Sequence, residues 1–285
     1  MVHQELTRRA GMRGHDEGDA STVPPAMPYP WRNASPAACE VRWGLPPTLV
    51  DRRPRGGPVT RSVPPVRDVV DLSHPLDDDT PVYPGDPVAR FSPATTVAAD
   101  GYNVLHVRMG SQTGTHVDAP YHFLEDGPRI DEIPLEYFLG PAVVADVRGK
   151  PPRGRIEWSD LAPWADRLGP GRILLLRTGW DEHWGTDAYF DHPYLTGDAA
   201  ARVVAAGVRT VGLDALSLDE TVVDGEPADG FAAHLTVLGA GGVIVENLRD
   251  LGRVPAVDPV VSVLPLRLAG ADGAPVRAVA FRLPG

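Results

Sequence analysis

Apolar residues along this chain fall into short, bounded runs, most of them too brief for a helix. Val69-Val70-Asp71-Leu72 reads as a strand, and the turn-forming Asp78-Asp79 and Pro84-Gly85-Asp86 follow it. Val88 to Val97 and Asn103 to Met109 read as two more strands. In the second, Val104, His106 and Arg108 alternate with Leu105, Val107 and Met109, the period of a pleated strand with two distinct faces. Pro141 to Asp146, Arg172 to Arg177, Thr210 to Leu213 and Val243 to Val245 have unbroken apolar interiors, as buried strands do. Val260 to Leu266 and Val276 to Leu283 complete the set. Helical stretches lie between them. Trp158 to Leu168 is one. A second is capped by Thr196 and runs to about Ala206, with Gly207 suited to its end. A third is capped by Asp229, runs through Leu238 and stops at Gly239. No internal repeat is visible. The expectation is an α/β fold, with residues 67–285 as a single compact domain around a mixed β-sheet core with flanking helices.

Residues 1–66 break this pattern. They hold 9 of the 27 basic residues, 6 of the 38 acidic ones and 11 of the 31 prolines. Runs such as Pro24-Pro25 and Pro46-Pro47 sustain neither helix nor sheet. This segment is expected to be a disordered, Pro- and Arg-rich extension; Trp31, Trp43 and Leu45 would let it dock on another subunit instead.

Composition narrows the function. A net charge of −11 disfavours nucleic acid and anionic membrane as partners, because both need concentrated Lys and Arg. The single cysteine, Cys39, excludes a disulfide framework and a cysteine-based zinc site, and fits a cytoplasmic setting. No apolar run reaches the roughly 18 residues of a membrane span, and the first 25 residues lack the apolar core of a secretory signal.

The chemistry concentrates in Ser111 to His122. Within seven residues this stretch places His116, Asp118 and His122, side chains suited to a borderline divalent metal such as zinc or manganese. His116 and Asp118 stand two apart, so on an extended segment they share a face. Gly114 permits a tight turn before them and Pro120 stiffens the exit. Far downstream, His234 falls in the third helix, and Glu246 follows an apolar strand at the end where α/β sheets build their sites. Taken singly, a helical histidine or a strand-terminal glutamate is an ordinary surface feature. The cluster in the 111–122 stretch is what raises them to candidates.

Thr113-Gly-Thr-His-Val-Asp-Ala-Pro-Tyr-His122 resembles the signature His-x-Gly-Thr-His-x-Asp-x-Pro-x-His of the metal-dependent cyclase/hydrolase family, to which bacterial kynurenine formamidases and isatin hydrolases belong. Pro81 to Asp86, Leu175 to Trp180, Gly212 to Ser217 and Glu246 to Leu248 resemble further family segments, so the likeness spans about residues 67–283. It implies a swivelling β/β/α-like domain assembled as a homodimer or homotetramer, and one or two divalent ions, zinc or manganese. It implies His116, Asp118, His234 and Glu246 as ligands, His122 as general acid/base, and Tyr83 in the pocket for a small-molecule substrate. Two positions depart. The family's first histidine is Gln112 here, a weaker zinc ligand, and the formamidases' tryptophan is Tyr83. The activity implied is hydrolysis of a small amide, lactam or ester of the arylformamidase kind. The alternatives are cyclisation or dehydration of a polyketide-like substrate, and a metal-free, non-catalytic homologue, which Gln112 favours.

Overall fold

The computed structural model of the chain describes residues 66–222, 227 and 230–283. The N-terminal extension with Cys39, Trp31 and Trp43 lies outside the described residues, as does Asp229. Among the described residues thirteen strands and four α-helices occur in this order: β1 (Arg67–Asp71), β2 (Arg90–Thr95), α1 (Val97–Asp100), β3 (Val104–Arg108), β4 (His116–Asp118), β5 (Leu139–Asp146), β6 (Arg155–Ile156), α2 (Trp158–Leu161), β7 (Ile173–Arg177), β8 (Tyr194–Leu195), α3 (Gly197–Ala205), β9 (Thr210–Leu213), α4 (Ala232–Gly239), β10 (Val243–Glu246), β11 (Pro259–Ser262), β12 (Gly273–Pro275) and β13 (Val279–Arg282).

Nine strands form one mixed sheet in the order β1-β13-β11-β5-β7-β9-β10-β4-β12. β5, β7, β9 and β10 run parallel at its centre. These are the fully apolar runs, and they are apolar because both faces are covered. On one face Val143, Leu174, Leu176, Val211, Leu213 and Ile244 pack beneath residues of α3 and α4. On the other, Ile173, Leu175, Val243, Val245 and Val117 pack with Phe138, Leu248 and Val261. The flanking strands are antiparallel: β4 pairs with β10 and β12 with β4.

Most expected elements are present, while the short α1, β6 and β8 were not expected. The Trp158 to Leu168 helix is one α-turn, α2, followed by a 3-10 segment over Ala162–Arg167. Pro163 has no N–H for the i−4 bond that would have continued it. α4 begins at Ala232, and its first amides are held by Asp219: Oδ1 accepts from the Ala233 N–H and Oδ2 from the His234 N–H, both at 2.8 Å. The two faces of β3 are not one buried and one exposed. All five of its residues are exposed, and β2 and β3 pair only with each other as a two-stranded ribbon. β12 was not expected; its Gly-Ala-Pro reads as a turn, yet it forms the edge of the sheet beside β4. Thr196 caps α3 through its side chain as expected, accepting from the Ala199 N–H. No helix among the described residues is long and apolar enough to cross a membrane.

Candidate metal and catalytic site

Sheet register assembles the first part of the site. β4 lies antiparallel against β10 with His116 opposite Glu246 and Asp118 opposite Ile244. Opposed residues share a face, as do residues two apart on one strand. His116, Asp118 and Glu246 therefore point to the same side, at the carboxyl end of β10, and all three are buried. α4 packs over that side and adds His234, also buried.

Each carboxylate faces both imidazoles. His116 Nε2 lies 3.1 Å from Asp118 Oδ1 and 3.6 Å from Glu246 Oε2. His234 Nε2 lies 3.5 Å from Asp118 Oδ2 and 3.3 Å from Glu246 Oε1. The opposite ring nitrogens are already engaged: His116 Nδ1 with the Gly114 carbonyl at 2.8 Å, His234 Nδ1 with Asp219 Oδ2 at 2.7 Å. An acceptor on Nδ1 takes the ring proton, which leaves Nε2 as a lone pair directed into the cluster. Glu246 is held by the Leu218 N–H, 2.7 Å from Oε1.

This donor set fits a divalent cation. Both oxygens of Asp118, a residue only 1% exposed, lack a hydrogen-bond partner, and such groups are costly unless paired or bound to metal. Protons are the alternative counter-charge. Burial disfavours charge on His116, but Asp118 and Glu246 outweigh it and push its pKa up to about 9. His234 is likewise raised well above its ordinary value against burial by Asp118, Asp219 and Glu246. Asp118 is lowered despite burial, chiefly by His116. Positive charge is demanded here, and two imidazole nitrogens with two carboxylates are the ligands zinc and manganese take.

The local backbone explains how Thr113 to His116 reaches this position. Gly114 adopts φ +65, and a side chain there would collide with Leu76. Asn247 follows Glu246 in the left-handed region that asparagine tolerates, at φ +56. Its Nδ2 donates to the Gly114 carbonyl at 3.0 Å while its Oδ1 accepts from the Tyr189 hydroxyl at 2.8 Å. The loop behind His116 is thus tied to β10.

His122 and Gln112 stand apart from the cluster and together. His122 Nδ1 lies 3.0 Å from Asp272 Oδ2. The same carboxylate accepts from Gln112 Nε2 at 2.8 Å and from Ser111 Oγ at 2.7 Å. Burial opposes charge on His122, but Asp272 reverses this and raises its pKa. Asp272 is lowered in turn, with His122 the largest cause. The structure therefore brings together four expected ligands, His116, Asp118, His234 and Glu246, and turns Gln112 away to Asp272. Gly273 makes room for that amide: a Cβ there would lie 2.7 Å from Gln112 Nε2 and 2.6 Å from the Val117 carbonyl oxygen.

A cavity of about 170 Å³ opens over the cluster, lined by His116, His122, His234, Glu246, Gln112 and Asn247. Tyr83, Phe123, Phe231 and Asp86 also line it. Phe123 meets Phe231 edge-on at 5.2 Å, and the His122 and His234 ring centroids are 6.3 Å apart. Sequence reasoning missed Asp219, Asp272 and the pocket role of Asp86. Only Asp86 carried a signal, through its place in the Pro81 to Asp86 segment.

Residues 70–220 match the family model described as "Putative cyclase". The chain belongs to this cyclase family. It is 34% identical over 214 residues to a kynurenine formamidase of Bacillus mycoides (strain KBAB4), covering 74% of this chain and 95% of the relative. Among solved structures, isatin hydrolase A from Labrenzia aggregata, bound to benzyl benzoate, superposes with a TM-score of 0.68 at 26% identity, covering 77% of this chain and 94% of that one. A potential metal-dependent hydrolase with cyclase activity gives a TM-score of 0.63 at 30% identity over 76% of this chain and 98% of that one. Relatives named kynurenine formamidase thus match this chain at 34% and 36% identity.

Proposed function

We propose that the protein hydrolyses a small aryl amide or lactam with the help of a divalent cation, zinc or manganese, held by His116, Asp118, His234 and Glu246. The observation that carries this reading is the convergence of these four side chains beneath an aromatic-walled cavity, with His122 on its wall. A cation bound there supplies Lewis acidity, which makes water easier to ionise at neutral pH and polarises the scissile carbonyl. His122 acts as the proton carrier. Asp272 holds the proton on Nδ1, so Nε2 is the nitrogen that takes a proton from the attacking water and returns it to the leaving nitrogen. Gln112 and Ser111 also donate to Asp272 and fix its orientation. Tyr83, Phe123 and Phe231 exclude water around the ring of the substrate.

The β2–β3 ribbon supports a homodimer or homotetramer. Val104, Leu105 and Val107 are 46%, 56% and 44% exposed on a ribbon that no other described strand covers, and apolar surface of this kind marks an interface. The activity is tested by assaying zinc- and manganese-loaded protein against aryl formamides and isatin. Hydrolysis abolished by chelation and by His122→Ala is expected; no turnover by either metal form would overturn the reading.

A further inference from the structure

Three carboxylates in and around the cavity are answered by partners. Asp118 and Glu246 face imidazoles, and Asp272 receives His122, Gln112 and Ser111. Asp86 differs. It lines the same cavity and is half-buried; its backbone N–H donates to the Tyr83 carbonyl at 3.0 Å, but its carboxylate has no hydrogen-bond or ion-pair partner among the described residues. Its walls are Tyr83, Phe123 and Phe231, and no Lys or Arg is among the described residues that line the cavity. The cavity volume of about 170 Å³ is close to the roughly 150 Å³ that encloses one benzene.

We propose that Asp86 is a specificity-determining residue, selecting substrates whose single aromatic ring carries both the scissile acylamino group and a protonated amine. An unanswered carboxylate between aromatic walls attracts an ammonium group more strongly than it would in water, and repels a carboxylate for the same reason. The rings contribute in the same direction, since their faces also attract cations. Substrates bearing a free carboxylate at that end of the ring meet the Asp86 charge with no Lys or Arg to offset it. The assignment names the substrate class of the hydrolase reading above and rests on it for turnover, though not for binding.

The test uses the full-length, metal-loaded protein and two readouts. Calorimetry compares 3-(aminomethyl)aniline, aniline and 3-aminobenzoate as probes, and kcat/KM is measured for the corresponding N-formyl compounds. The ammonium probe should bind about tenfold or more tighter than the neutral one, the scale of one hydrogen bond to a charged group, and the carboxylate probe should bind weakest. Asp86→Asn should bring the ammonium-to-neutral ratio close to one, and Asp86→Lys should reverse the order in favour of the carboxylate. Equal binding of all three by the unaltered protein, or an unchanged ratio in both variants, overturns the assignment. Selective binding of the ammonium probe without turnover of any formyl compound would sink the hydrolase reading and leave Asp86 as the selector. Turnover of all three compounds at equal kcat/KM would do the reverse.

Discussion

Asp272→Asn separates the proposed proton carrier from the proposed metal ligands. The carboxylate lies 3.0 Å from His122 Nδ1 and 2.8 Å from Gln112 Nε2 through Oδ2, and 2.7 Å from Ser111 Oγ through Oδ1. An amide in its place keeps the shape but retains one acceptor against three donors. A hydrogen bond to a charged group contributes about 1.5–3 kcal/mol. The His122 and Asp272 side chains are 30% and 32% exposed, so solvent screening lowers this to about 1–2 kcal/mol, a fall in Tm of about 2–8 °C for a domain of this size. The pair contributes in a definite window. His122, raised above 6.5, adds stability below that value and loses it as pH rises through its folded pKa. Asp272, depressed below 3.8, adds stability above that value and loses it as pH falls through its own. The difference between the two proteins is therefore greatest between pH 3.8 and 6.5. For catalysis, loss of the group that orients a working histidine costs about 10–100-fold. The loss should fall on kcat with KM little changed, and the acid limb of the kcat profile should move to lower pH because the cause raising His122 is gone. Stopped assays across pH, with metal content measured on the same samples, decide it. An unchanged kcat, or a metal content that falls in step with kcat, would refute the reasoning.

His122→Ala should retain its metal and lose roughly 100-fold or more in turnover; loss of metal on analysis would make it a ligand. Gln112→Ala should also retain its metal, because the amide serves Asp272 and not the cluster, and equilibrium dialysis with zinc would expose any tenfold or larger loss of affinity. Leu105→Asp, on the exposed face of the β2–β3 ribbon, should shift the protein to a smaller assembly in light scattering while Tm changes little.

The parallel centre of the sheet was legible because strands buried on both faces are written as unbroken apolar runs, and β9 occupies the same residues the pattern indicates. The 111–122 stretch was legible because its ligands are adjacent in sequence. What escaped was set by tertiary contact. Asp219 and Asp272 lie 15 and 150 residues from the histidines they hold, and nothing local distinguishes them from other turn aspartates. Register is the other missing element: only the pairing of β4 with β10 shows that Glu246 opposes His116. The ribbon misled because its period of two is real, yet no other described strand covers either face. For Gln112, alignment with the family's first histidine fixes its place in the chain, while the close approach of Gly273 and the pull of Asp272 fix where its Nε2 points.

The central claim is that His116, Asp118, His234 and Glu246 hold a divalent cation. The most direct test is elemental analysis of the purified full-length protein beside Asp118→Ala, after dialysis with zinc or manganese and removal of the excess. Asp118 is the residue to remove, since its two oxygens face both imidazoles. The account predicts at least one ion per chain in the unaltered protein and a stoichiometry near zero in the variant, with the far-ultraviolet circular dichroism of the two superimposable. Stoichiometric metal persisting in folded Asp118→Ala, or none in the unaltered protein under saturating zinc and manganese, would contradict it.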